Sequence, residues 1–289
     1  VRVKTFWDAP LARPRGLACD PSGRVFATAG RGSNGRVALL QGRLPAAAGA
    51  NASLRFAPAP VCAELGGEGQ EEQDLTFHAC SEYGTCDALV LPRRGQHLVS
   101  CPLGETVEAA GAAGRPRATR LARAWLEDRG GAPLDGSATA AGLLEPEEVA
   151  ALAAVPCVPE SANGHCAVVG TTARRVVQLA SVGQPGADRE WVPRRLVRRD
   201  HGEVPSPGAL ALISSRYLAA LHQGTGSVRV TDLLEGGRSV GSWVLPAAEG
   251  KDERRWASVC AGGGSLFALE DGESPSLWQF DVRSTLPGL

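Results

Sequence analysis

The chain has 289 residues, of which 43% are hydrophobic and 21% charged, a composition typical of a globular protein with a buried core. Thirty basic against 31 acidic residues give a formal net charge of −1, which excludes binding of nucleic acid or anionic membranes through overall charge. No apolar run approaches the roughly 18–20 residues of a membrane-spanning helix, so we expect no transmembrane segment.

The beginning of the chain, VRVKTFWDAP, lacks the apolar core of a signal sequence, and residue 1 is Val rather than Met. We therefore expect a processed chain from which any targeting peptide has already been removed. The 36 glycines and 20 prolines predict many turns between short elements.

One pattern recurs along the chain: an apolar strand, a short turn with Gly, Ser or Arg, and a second apolar strand. It is typical of a hairpin of two mostly buried strands, because nearly every position of both runs is apolar. In chain order it reads GLACDPSGRVFATA at 16–29, ALVLPRRGQHLVSC at 88–101, a longer VAALAAVPCVPESANGHCAVVG at 149–170, GALALISSRYLAAL at 208–221 and WASVCAGGGSLFAL at 256–269.

A third strand is predicted after each hairpin, and a more polar fourth strand after the first four. The third strands lie at 36–42, 105–110, 174–181, 227–234 and 276–282, and the fourth at 52–58, 119–127, 191–199 and 238–245. The last unit has no fourth strand of its own, and VRVKTFW at the beginning of the chain has the pattern to supply it. One unit would then be assembled from both ends of the chain.

The spacing of the units predicts an all-β protein, with residues 1–289 folded as a single β-propeller domain. A four-stranded blade takes roughly 40–50 residues. We therefore expect five blades of four antiparallel strands, with the N-terminal strand closing the last blade and with insertions at about 63–86 and 128–160. Six blades are the alternative, if one insertion contains a degenerate blade.

The first unit resembles an NHL repeat, and the resemblance covers about one repeat. The family usually has Asp where Thr28 or Ala29 stands, and usually six blades. The resemblance implies a propeller of the NHL-repeat and SMP-30-like superfamily, in which related lactonases and lyases hold Ca²⁺ or Zn²⁺ with carboxylates, an Asn and sometimes histidines. The matching positions are Gly16, Ala18, Asp20, Gly23, Val25, Phe26, Asn34, Arg36 and Val37.

Three of the five histidines are predicted at one rim of the propeller. His78 and His201 fall in blade-to-blade loops and His222 ends a second strand. Three imidazoles suffice for a catalytic zinc, which is what a metal-dependent lactonase or lyase-type hydrolase would use. No short-range ligand spacing supports this alternative, so we expect no metal, no cofactor and no catalytic residue. The acidic stretch 66–74 lacks a calcium-loop spacing and is interpreted as a solvated loop.

The stretch REWVPRRLVRRDH at 189–201 carries four arginines on a predicted outer-edge strand. NHL propellers can bind RNA through a basic rim, which makes RNA binding a lesser alternative. Arginines that alternate along an edge strand also prevent aberrant strand pairing and cover apolar surface. Of the two binding interpretations, an acidic protein partner at this edge is favoured over RNA. The predicted partner-binding residues are Arg194, Arg195, Arg198 and Arg199.

Eight cysteines favour disulfides over a metal site or free thiols, because no C-x-x-C occurs and reducing compartments remove the benefit of pairing. Two pairings are predicted, and a third is left for the geometry to decide. Cys157 and Cys166 flank a hairpin turn, and Cys80 and Cys86 would close a small loop, with Cys62 and Cys101 nearby as alternatives. Cys19 and Cys260 lie on innermost strands of adjacent blades, where a disulfide would lock the ring.

The absence of a convergent catalytic set on a scaffold suited to display favours binding over catalysis. We expect a non-catalytic scaffold propeller, an accessory or assembly subunit of a larger complex that includes other protein subunits and no DNA. One form of this hypothesis places the complex in the membrane of an organelle. The Ala/Gly-rich stretches 108–118 and 130–142 are expected to pack against partner chains. The cysteines favour an oxidising compartment, either an organellar lumen such as the thylakoid lumen or the secreted space.

Overall fold

The computed structural model is all-β wherever it describes the chain. The described residues are 2–9, 11, 13–19, 24–31, 36–44, 54–58, 64–65, 72–80, 86–92, 97–103, 117–121, 149–155, 166–171, 175–182, 190–199, 208–246 and 255–286. Apart from strands they contain a 3₁₀ turn at Gln223–Thr225. None of them forms a helix with the length and apolar character needed to cross a bilayer.

The chain begins with β1 (Arg2–Asp8), and the next strands form an antiparallel meander. β4 pairs with β5 near one end and with β6 near the other. We call this sheet the first sheet. Its strands are β2 (Pro14–Cys19), β3 (Arg24–Arg31), β4 (Arg36–Arg43), β5 (Phe56–Pro58) and β6 (Glu64–Leu65).

Two further meanders share one eight-stranded sheet. They join through a short parallel pairing of β10 with β14, at Arg120 with Glu190 and Leu121 with Trp191. The strands of the second meander are β7 (Glu72–Cys80), β8 (Cys86–Pro92), β9 (His97–Leu103) and β10 (Arg117–Leu121), and those of the third are β11 (Val149–Val155), β12 (Cys166–Thr171), β13 (Arg175–Val182) and β14 (Glu190–Arg199).

The last two sheets have four strands each. In the last sheet β1 pairs antiparallel with β21, so the N-terminal strand completes the sheet that ends the chain, as the sequence predicts. The fourth sheet contains β15 (Ala209–Leu212), β16 (Tyr217–His222), β17 (Ser227–Asp232) and β18 (Arg238–Val244), and the last sheet contains β19 (Arg255–Gly262), β20 (Ser265–Asp271), β21 (Ser276–Asp281) and β1.

The second meander differs from the sequence prediction. The segment 63–86, expected to be an insertion, contains β6 and the long strand β7. The hairpin predicted at 88–101 therefore supplies β8 and β9, the second and third strands of the meander rather than the first and second. The segment 128–160 contains β11 near its end. The third strand predicted at 105–110 lies outside the described residues.

The first strands of the meanders contact one another in a closed cycle. β2 packs against β7, β7 against β11, β11 against β15, β15 against β19, and β19 against β2. Buried alanines recur in these strands, among them Ala18, Ala151, Ala209 and Ala257. Small side chains allow neighbouring strands to approach closely while the interior remains densely packed.

The contact between the last sheet and the first sheet, which we call the seam, is also closed covalently. Cys19 of β2 and Cys260 of β19 form a disulfide, with their Cα atoms 5.7 Å apart. That separation lies inside the usual range for disulfides. The pairing that the sequence leaves open is therefore formed. A disulfide is compatible with an oxidising compartment.

Candidate protein-binding surface

Of the three histidines proposed for a metal, only His222 has a side chain that the structure describes. His78 lies within β7, where a blade-to-blade loop was expected, and His201 lies outside the described residues. His222 ends β16, as predicted, but its side chain is only 1% exposed. Within the described part of the chain no three His, Cys, Asp or Glu side chains form a group that could hold a metal ion.

The pairing register of the strands can be compared with the other predicted disulfides. Cys80 lies directly opposite Cys86 in the pairing of β7 with β8. Cys166 begins β12 opposite Val155, whereas Cys157 lies outside the described residues. The pairings of Cys80 with Cys86 and of Cys157 with Cys166 remain predictions, and the register of the first pair favours it.

The four predicted partner-binding arginines lie on β14, the outermost strand of its meander. The register of β13 with β14 skips Arg194 and Val197, so two bulges interrupt the simple alternation expected from the sequence. Only Glu190 and Trp191 of this strand pair with β10, at the end away from the arginines. The backbone therefore places Arg194, Arg195, Arg198 and Arg199 on the part of β14 that β10 leaves unpaired.

The exposed large hydrophobic side chains of the described residues all lie on one hairpin, formed by β17 and β18. Leu234 in the turn is 74% exposed, Val240 in the middle of β18 is 39% exposed, and Val244 at its end is 81% exposed. β18 is also the edge strand of its sheet. The hairpin thus combines an open strand edge with apolar side chains that the fold itself does not bury.

Buried polar contacts hold the turn of this hairpin in place. Asp232 is 2% exposed, and its Oδ1 accepts hydrogen bonds from the backbone N–H groups of Leu234 (2.9 Å) and Glu235 (3.2 Å). Its Oδ2 accepts a hydrogen bond from Nε of Arg216 at 2.6 Å. The Arg216 hydrogen bond, with help from the two backbone N–H groups, lowers the pKa of Asp232 against the opposing effect of burial. The carboxylate therefore stays ionised and acts as a fixed acceptor for the turn.

The same turn packs directly against β14. Gly237 has φ +86°, and a side chain there would collide with the backbone carbonyl of Val197. Its N–H donates to the carbonyl of Asp232 at 2.9 Å. Leu233, 9% exposed, and Val197, 5% exposed, belong to the same apolar core cluster. The arginine-bearing strand and the turn that presents Leu234 therefore form neighbouring parts of one surface.

Sequence reasoning predicted the arginine-bearing strand and both strands of this hairpin, at 227–234 and 238–245, but it missed the turn that presents Leu234 to solvent. The segment Leu233-Leu234-Glu235-Gly236-Gly237 reads as the end of an apolar strand followed by a turn. The pair of glycines is the signal that could have found it, since two successive positive φ angles mark a tight turn that projects its first residues.

No family model matches the chain, and no curated protein matches it by sequence. Among solved structures it is similar to a catalytically inactive variant of virginiamycin B lyase from Staphylococcus aureus, solved with quinupristin, at 10% sequence identity and a TM-score of 0.40. The match covers 92% of this chain and 66% of the lyase chain, so the chain spans slightly less than two thirds of that protein. A likeness of this size carries no argument about activity.

Proposed function

We propose that the protein is a five-bladed β-propeller that acts as a non-catalytic binding subunit of a larger protein assembly. Two features support the architecture. The first strands of the five meanders contact one another in a closed cycle, and β1 completes the last sheet from the other end of the chain. Both are what a ring of four-stranded blades requires.

The observation that carries the function is the location of the exposed apolar side chains. Leu234, Val240 and Val244 lie on the outermost hairpin of the fourth sheet, at the periphery of the ring. Apolar side chains on an open strand edge are a liability for an isolated protein and a common basis for association. A partner subunit that covers this hairpin would bury them and protect the edge of β18.

The partner is another protein subunit rather than DNA or a small molecule. The four arginines of β14 adjoin the hairpin and favour an acidic partner surface. The Cys19–Cys260 disulfide supports an oxidising location, such as an organellar lumen or the secreted space. We expect the stretches 108–118 and 130–142 to contribute further contacts with partner chains.

The test is the native size of the protein in a gently solubilised extract of its source. We expect the wild-type chain to migrate in an assembly far larger than its own 30.0 kDa. Val244→Lys should release it, because a charge would then be buried in the interface. Ser274→Lys is the matched control, since it adds the same charge at an exposed position in the β20–β21 turn of another sheet.

Migration of the wild-type protein near its own mass would contradict the proposal. So would a native assembly that retains the Val244→Lys variant as well as it retains the Ser274→Lys variant. The circular dichroism spectrum of each variant shows whether a loss of assembly is merely a loss of fold.

A further inference from the structure

We propose that the partner docks through an extended acidic segment at the β14–turn junction, defined as Trp191–Arg199 together with the turn Leu233–Gly237. An apolar residue of that segment packs on Leu234, and carboxylates on either side of it meet the arginines of β14. This inference rests on the proposed function and specifies the chemistry of the partner.

The first step is that Leu234 is presented by a rigid turn. Asp232 fixes the backbone of Leu234 and Glu235, and it is itself held by Arg216. The turn closes with the hydrogen bonds from Gly237 to Asp232 and from Arg238 to Glu235. A side chain that is 74% exposed on such a turn loses little backbone freedom on binding. Leu234 therefore has the properties of a preorganised anchor.

The second step is that the turn and β14 form one continuous surface. Gly237 approaches the carbonyl of Val197 so closely that no side chain fits between them. Leu233 and Val197 are buried in a shared cluster beneath this contact. An extended segment that covers Leu234 thus lies beside the strand that carries the arginines.

The third step is the charge of the junction. Trp191–Arg199 contains four arginines and no acidic residue. The acidic residue exposed on the turn, Glu235, already has cationic neighbours, with Arg216 at 3.3 Å and Arg238 at 3.6 Å. The net charge of the junction is positive, and carboxylates are the protein groups that arginine binds best, in a bidentate geometry. Charge complementarity therefore favours an acidic occupant.

An acidic protein segment fits this surface better than RNA. Single-stranded RNA is recognised by stacking of its bases on exposed aromatic side chains. The turn Leu233–Gly237 contains no aromatic residue, and its exposed large hydrophobic side chain is the aliphatic Leu234. Trp191 is the aromatic residue of the junction, and it lies where β14 pairs with β10, at the end of the strand away from the arginines. Leu234 is an aliphatic side chain beside the arginines of β14. A peptide with an apolar residue between carboxylates would complement both features.

The experiment selects random linear peptides displayed on phage against the full, oxidised protein, and measures the selected peptides by fluorescence anisotropy. We expect enrichment of peptides with an apolar residue flanked by Asp or Glu. Leu234→Ser and the double change Arg195→Glu and Arg198→Glu should each weaken binding by about tenfold or more. Hydrogen exchange should slow in 194–199 and in 233–237 when the peptide binds.

Glu273→Ser is the control, because Glu273 is exposed in the β20–β21 turn of the last sheet and lies outside the proposed binding surface. It should leave peptide affinity within about twofold. Raising the salt from low to physiological ionic strength should weaken the wild-type complex and leave the remaining binding of the arginine double variant nearly unchanged.

The inference is overturned if the selected peptides lack acidic residues, or if their binding is insensitive to Leu234→Ser. Binding of a single-stranded oligouridine that is lost in the arginine double variant but unaffected by Leu234→Ser would assign the arginines to nucleic acid and also overturn it. The proposed function has a separate test, because retention in the native assembly depends on Val244→Lys. If the protein is found in a native assembly but binds no acidic peptide, this inference fails and the proposed function stands.

Discussion

The seam and the β14–turn junction are two places where neighbouring sheets meet, and they are built differently. At the seam a disulfide and a shared apolar cluster join the last sheet to the first, and β1 of the last sheet leads along the chain into β2 of the first. At the junction a buried cluster lies below, but the rim is made of a polar turn and a close backbone contact at Gly237.

The difference lies in what each contact does with its apolar side chains. The leucines of the seam cluster are buried, with Leu17 at 1% and Leu269 and Leu277 at 0% exposure. The junction buries Leu233 but leaves the adjacent Leu234 in solvent on a rigid turn. The seam uses its apolar surface to close the fold, whereas the junction keeps part of it available for a partner.

Removing the covalent link at the seam has the largest expected effect. In the chain-entropy view a disulfide that closes a long loop contributes up to about 5 kcal/mol, and Cys19 and Cys260 are 241 residues apart. We expect the variant with Cys19→Ala and Cys260→Ala to lose several kcal/mol of unfolding free energy, measured by urea denaturation.

The reductant dithiothreitol provides the control for this prediction. It should lower the urea midpoint of the wild-type protein more than that of the double variant, since other disulfides would respond equally in both. Equal responses would mean that the seam does not depend on the covalent link, and the contrast with the junction would disappear.

At the junction, Gly237→Ala should have the next largest effect. The added Cβ would meet the carbonyl of Val197 and would also disfavour φ +86°, so we expect a loss of about 3 kcal/mol in unfolding free energy and weaker binding of the acidic peptide. Gly236→Ala is the matched control, because it has φ +66° but open space around the added atom. It should cost only about 1 kcal/mol. Similar losses for both would show that the turn does not pack on β14.

Acid should loosen the junction more than the seam through Asp232. The pKa of this carboxyl is lowered in the folded protein, mainly by its hydrogen bond with Arg216. Its stabilising contribution is therefore complete above the pKa of the unfolded chain and is lost as pH falls through the lower folded pKa. Asp232→Asn should cost about 1–2 kcal/mol at neutral pH.

Urea denaturation from neutral pH to below about pH 4 checks this prediction. The wild-type advantage over Asp232→Asn should shrink over that acidic range. Glu235→Gln, at a side chain that is 51% exposed, should follow the wild-type curve. A constant difference between wild type and Asp232→Asn across the range would mean that the carboxylate charge plays no part in the turn.

The smallest effect is expected beside the seam, at Thr28. The register of β2 with β3 shifts between Pro14 and Leu17, and the buried hydroxyl of Thr28 accepts the N–H of Gly16 there at 2.7 Å. Thr28→Val keeps the shape but removes the acceptor, so we expect a loss of about 1 kcal/mol. Thr28→Ser retains the hydroxyl and should keep the protection of the Gly16 amide in hydrogen exchange. Unchanged protection in Thr28→Val would contradict this role.

Much of the strand order follows from the sequence because buried strands are apolar on both faces. The runs that form β11, β15, β16, β19 and β20 are examples, and the match of β1 to the last sheet follows from the same pattern. β7 could not be predicted in this way, because it begins with Glu72-Gln73-Asp74 after a glycine-rich acidic stretch. Polar residues at the start of an inner strand are indistinguishable from a loop until the strand is seen to pair.

The binding surface is less predictable, since it depends on turn geometry. Leu233 and Leu234 are adjacent and chemically identical, yet their exposed fractions are 9% and 74%. The hydrogen bonds from the turn to Asp232 fix the backbone of Leu234 in solvent, whereas Leu233 donates its N–H to the carbonyl of Arg216 and packs in the cluster with Val197. His222 illustrates the converse, because its place at the end of β16 was predicted correctly but its burial was not.

The pairing of β1 with β21 also constrains how the protein can fold during translation. β1 emerges before its partner β21, which begins at Ser276 and is made only after more than 260 further residues. At about 5–20 residues per second, that delay lasts tens of seconds. During this time Leu17 and the other apolar residues of the first sheet have no last sheet to cover them. Nascent chains of this protein should therefore depend on chaperones until β21 has been made.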